Sequence, residues 1–208
     1  MNTKDLSAIQ EELAQLRARV AQLEEEQQSK TEVSSAWTKE YYLTYYATTG
    51  FFLGMIAALA SLMFNAVGSL AIGQHPMQII KVYLTFGLGE RALDPTLETG
   101  LILAIGCCLY IATGALLGAL FQVVLSRIKQ AEQLVPRLLI ASGLGMAVWV
   151  VNYYLLLSWL QPLMFGGNWI LTEIPVGVAI LTHLVFGWTM ALLYPMGKFV
   201  PYSTSLEK

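Results

Sequence analysis

The sequence predicts an all-α membrane protein. It should be a four-transmembrane-helix bundle, with an N-terminal cytoplasmic coiled-coil helix and a short external amphipathic helix. Three observations lead there. Residues 41–80, 99–126, 138–172 and 174–197 contain no Asp, Glu, Lys or Arg. Each run reaches the length of about 20 residues that a helix needs to cross a hydrocarbon core. The 208 residues are 56% hydrophobic and only 12% charged, against about 25% charged in a typical soluble domain. Residues 6–28, in contrast, carry a heptad pattern on a charged background.

The first module is 1–36. Leu6, Ile9, Leu13, Leu16, Val20 and Leu23 recur at spacings of 3 and 4, the a/d seam of three heptads. Glu11, Glu12, Arg17, Arg19, Glu24, Glu25 and Glu26 fill the flanks, as on a solvated coiled-coil face. The alternative is a single amphipathic helix lying on another subunit. Residues 29–36, Ser-Lys-Thr-Glu-Val-Ser-Ser-Ala, read as a polar joint.

The second module, 37–200, holds the spans, expected at about 46–72, 100–125, 138–163 and 171–195; residues 201–208 form a tail. Trp37, Tyr41, Tyr42, Tyr45 and Tyr46 precede the first span, where amphipathic rings suit a membrane–water interface. Along that span Gly50, Gly54, Ala57, Ser61, Asn65 and Gly68 share one helical face. The second span has Gly114 and Gly118. Small faces let backbones approach closely, so the first two spans are expected to pack as an antiparallel pair.

Between them, Gln74, Gln78, Lys81 and Thr85 recur at helical spacing among apolar residues, after Pro76 and before Gly87-Leu88-Gly89. This predicts a short helix with a narrow polar stripe, in the interface or re-entering it.

Lys30, Lys39, Arg127, Lys129, Arg137, Lys198 and Lys208 lie on one side of the expected spans. The positive-inside rule then places both termini and the 126–137 loop in the cytoplasm. The start of the chain has no short apolar stretch with a cleavage site, so a signal peptide is not expected. Its acidic character also differs from a mitochondrial transit peptide. The net charge of −2 gives no reason to expect a nucleic-acid partner. Adjacent Cys107 and Cys108 do not suit ordinary disulfide geometry.

Chemistry inside a bilayer rests on few groups here: Asn65, Asn152 and His183. Such residues are costly in hydrocarbon and face protein or water. His183 could bind haem or a quinone head, or relay a proton. The structural alternative is a neutral ring bonded to Asn65, Asn152 or a backbone carbonyl. Haem is disfavoured, because His75, the other histidine, sits at the outer end of the first span. His183 would lie roughly 15–20 Å deeper at the helical rise. His75, Lys81, Arg91, Glu98 and Glu173 form a candidate external rim, either a solute entrance or a solvated surface.

No metal-ligand spacing, nucleophile motif or phosphate loop is present. His183-Leu184-Val185-Phe186-Gly187, late in a chain with Gly-rich early spans, resembles uncharacterised bacterial four-helix inner-membrane proteins. That resemblance implies a bacterial inner membrane and this fold, and no substrate.

The expectation is therefore a non-enzymatic, oligomeric membrane protein without a cofactor. It would act as an accessory or assembly subunit, with the bilayer, other copies or other membrane subunits as partners. One rival is an oligomeric channel or transporter lined by Asn65, Asn152 and His183. The other is haem- or quinone-linked electron transfer.

Overall fold

The computed structural model describes the backbone of residues 3–71, 73–94 and 100–199, with side chains at 15–25, 27 and from 42 onward within those ranges. Glu98, the tail 201–208 and the side chains of Leu6, Ile9 and Leu13 lie outside the described residues.

Every described element is a helix. They are α1 (Thr3–Ala71), α2 (Gln78–Leu88), α3 (Gly100–Arg127), α4 (Leu134–Val150), α5 (Ser158–Phe165), α6 (Trp169–Glu173) and α7 (Val176–Leu193). Short 3₁₀ turns follow α2, α3 and α7, and a π-helical segment, Val151–Leu157, joins α4 to α5. Four stretches are long and apolar enough to cross a membrane: Tyr42–Ala71, Gly100–Arg127, Leu134–Phe165 and Val176–Gly197. The chain thus reads as a multi-pass membrane protein.

The chain divides into two units, Met1–Thr44 and Tyr45–Lys208. In the first, the described backbone is helical, including 29–36. The expected joint there is a correction. That stretch is polar but has no Gly or Pro, the residues that stop a helix.

In the second unit the first two spans meet at their glycines. A Cβ added at Gly54 would lie 2.7 Å from the Gly118 Cα, and one at Gly50 would lie 2.6 Å from the Gly118 carbonyl oxygen. Gly114 meets Ala58. Partners run up one helix as they run down the other, so the pair is antiparallel. Gly68 faces open space and takes no part in this crossing.

The third and fourth spans form a second antiparallel pair with the same device. A Cβ at Gly145 would lie 2.8 Å from the His183 carbonyl, and one at Gly187 would lie 2.7 Å from the Ala141 carbonyl. The two pairs join where Leu53, Ala57, Ala58, Phe121, Ala141, Phe186 and Met190 are buried together.

The fourth span begins at Val176, not near 171. Trp169–Glu173 is a separate turn of helix, and Pro175 precedes the first residue of α7. Proline pushes the residue before it away from helical geometry, so Ile174 is extended and the two helices cannot fuse.

Helix α2 follows the break at Gly73, which adopts a left-handed φ of 74°, and ends at Gly89, φ 58°. Ile80 and Leu84 on α2 pack with Leu62 of α1 and Ala92, and they press on Gly106 of α3. Thr85, expected on the polar stripe, is instead fully buried and accepts a 2.8 Å hydrogen bond from Gln161 of α5. The stripe is therefore split, with its last member turned into the protein.

Candidate functional site

Above the shared core, the walls part and leave a cavity of about 520 Å³. Residues from α1 to α7 and the π segment line it. Phe121 and Phe186 are part of the lining, their rings edge to face with centroids 5.4 Å apart. Leu109 and Leu156 also line it and are 51% and 38% exposed.

The polar groups on the wall fall into two sets. The first set is bound within the protein. Tyr110 shares a 2.9 Å hydrogen bond with Ser61, and Tyr83 bonds Thr113. The Tyr83 and Tyr110 rings meet edge to face at 5.6 Å. Burial pushes the Tyr83 phenol above its ordinary value, partly offset by the Thr113 bond. The Tyr153 hydroxyl donates towards the Leu171 and Ile174 carbonyls at 3.2 and 3.3 Å. Thr182 donates to Val178 of its own helix and, at 3.1 Å, to the Asn65 carbonyl oxygen.

The second set is His183 and Asn152. His183 Nδ1 lies 2.8 Å from the Ala179 carbonyl. A carbonyl only accepts, so Nδ1 carries the proton, and in the neutral ring Nε2 is an acceptor. Among the described residues, Nε2 of His183 and the side-chain amide of Asn152 have no hydrogen-bond partner. Asn152 lies in the π segment, a form of helix that recurs at functional sites. His183 sits about 10 Å along α7 from its first residue, at 1.5 Å per residue.

The three intramembrane candidates thus separate. Asn65 is buried and ties α1 to α7: its Nδ2 donates to the Ser61 carbonyl at 2.8 Å, and Thr182 donates to its oxygen. Asn152 and His183 line the cavity. The His183 hydrogen bond is to its own helix, so Asn65, not His183, supplies the tie between helices.

The rim candidates are spread over several segments. His75 lies in the turn before α2, where its Nδ1 accepts the Met77 N–H at 3.1 Å. Lys81 is on α2, Arg91 in the following 3₁₀ turn and Glu173 at the end of α6. His75, Arg91 and Glu173 are exposed. Among the described residues, no group of three His, Cys, Asp or Glu side chains converges as a metal site would require.

Sequence reasoning missed Ser61 with Tyr110, Tyr83 with Thr113, Tyr153 and Gln161. Gln161 was the findable one: an amide in a charge-free run, beside Pro162. It is fully buried, donates to Thr85 and accepts the Ile170 N–H at 3.1 Å. No family model, curated protein or solved structure matches this chain.

Proposed function

We propose that this chain is a non-enzymatic, oligomeric membrane protein that holds a lipid-soluble molecule with a phenolic or hydroxyl head, as an accessory subunit of a larger membrane assembly. One observation carries the reading. An apolar cavity of about 520 Å³ is lined by His183 and Asn152, whose Nε2 and side-chain amide have no hydrogen-bond partner among the described residues. Its size falls in the range of about 300–1,000 Å³ typical of small-molecule sites. Apolar walls with a few polar groups suit a ligand that is mostly hydrocarbon. A bare ring nitrogen accepts a hydroxyl proton, and the amide offers both a donor and an acceptor. A quinol has this chemistry, so the quinone-binding alternative is folded into the proposal at the level of binding. The exposure of Leu109 and Leu156 on the lining supports entry from the bilayer. The positive residues favour a cytoplasmic location for both termini, in the inner membrane that the resemblance implies.

The test is solvent extraction of protein purified in mild detergent, with mass spectrometry of the extract and of the intact assembly. The expected result is close to one phenolic or hydroxylated lipid per chain, on a stable oligomer or a complex with fixed partners. Bulk phospholipid alone overturns the binding reading, and a clean monomer overturns the accessory reading.

A further inference from the structure

We infer that the N-terminal helix pairs with the same helix of a second copy of this chain, parallel and in register. This deepens the assembly half of the reading above and does not depend on the cavity.

Leu16, Val20 and Leu23 are 60%, 52% and 54% exposed on the described helix. They form one seam at spacings of 4 and 3, with Leu6, Ile9 and Leu13 continuing it in the sequence. An apolar seam of this kind is what coiled-coil association buries. The charges beside it identify the partner. With Leu6, Leu13 and Val20 at a, and Ile9, Leu16 and Leu23 at d, the g positions are Asp5, Glu12, Arg19 and Glu26. The e positions are Gln10, Arg17 and Glu24. In a parallel in-register pair, each g residue faces the e residue five places on in the partner. Glu12 then meets Arg17, and Arg19 meets Glu24, each twice by symmetry. Asp5 meets neutral Gln10. Both charged combinations attract, and none repels.

The antiparallel alternative does worse. There g faces g and e faces e. The register that covers the full seam puts Leu6 opposite Leu23 and Leu13 opposite Leu16. Glu12 then meets Arg19, but Asp5 meets Glu26, so attraction and repulsion balance. Residues at e and g set partner choice and orientation, and here they select a parallel copy of the same sequence.

The experiment uses the full chain in native membranes, with Cys107 and Cys108 replaced by Ser and Leu23→Cys introduced. A parallel in-register pair brings the two introduced thiols together. The antiparallel register places Leu23 opposite Leu6, about 25 Å from its counterpart at 1.5 Å per residue. Mild oxidation should give a cross-linked dimer in high yield. Glu12→Arg should lower that yield several-fold, and adding Arg17→Glu should restore it. No cross-link in membrane-inserted protein overturns the inference. So does a Glu12→Arg loss that the second reversal fails to rescue. Lipid extraction on the same samples keeps the outcomes separate, since the cavity can retain its ligand while the helices dissociate.

Discussion

Gln161 of α5 donates a 2.8 Å hydrogen bond to the Thr85 hydroxyl of α2, and both residues are fully buried. The same Gln161 side chain accepts the Ile170 N–H. One amide thus joins α2, α5 and α6. Gln161→Leu would leave the buried Ile170 N–H unmade, a cost of about 1–3 kcal/mol. Hydrogen exchange should speed up in 78–88 and 169–173 while the four-helix core stays protected. Unchanged exchange in both segments would show that other contacts hold this corner.

The crossing of the first two spans is a second sensitive point. Gly118→Val places carbon where the Gly54 Cα and the Gly50 carbonyl already lie. Overpacking of this kind costs about 1–3 kcal/mol, and backbone on the opposing side leaves little room to yield. Thermal unfolding in detergent should show a clear loss of Tm. Gly68→Ala, which meets open space, should be neutral or raise stability by about 0.5–1 kcal/mol through helix propensity.

These two predictions mark what the sequence does and does not reveal. Gly50, Gly54, Gly114 and Gly118 share helical faces, so close packing was legible from spacing alone. The four charge-free runs showed the spans for the same local reason. Helix α2 was legible from Pro76 and the Gly87–Gly89 break. The cavity was not, because its wall is assembled from several helices, and periodicity along one helix says nothing of the space left between helices. Thr85 was misread because its spacing matched a polar stripe, while a buried partner lay 76 residues away. The start of the last span was misread because 169–173 is apolar enough to join it, and Pro175 interrupts.

Orientation is tested with single cysteines at Ser29, Thr96 or Ser205, in a chain with Cys107 and Cys108 replaced. In intact cells, an impermeant thiol reagent should label only the Thr96→Cys variant. Labelling at Ser29→Cys and Ser205→Cys would reverse the assigned sides.

Lys198 pairs with Glu132, and the hydrogen bond from its ammonium holds Lys198 above the ordinary lysine value of 10.5. A group whose folded value is raised contributes fully below its unfolded value. The contribution is lost as pH rises through the folded one. The pair should therefore be intact at neutral pH, and the Lys198 contribution should fade in strong alkali. Glu132→Gln should return the Lys198 midpoint, followed by NMR of the labelled lysine side chain, towards its ordinary value. An unchanged midpoint would show that Glu132 is not the cause.

Occupancy of the cavity is tested by photolabelling in native membranes with a photoactivatable alkylphenol, followed by peptide mapping. Adducts should cluster on the cavity wall, at residues such as Leu109, Asn152, Leu156 and His183. Excess unlabelled alkylphenol should compete. His183→Ala should cut labelling several-fold, and Leu109→Trp, on the lining, should do the same. Met196→Trp, on an exposed site away from the cavity lining, should leave it unchanged. Labelling spread over exposed positions such as Leu101, Leu139 and Leu163, indifferent to His183→Ala and Leu109→Trp, would overturn the binding reading.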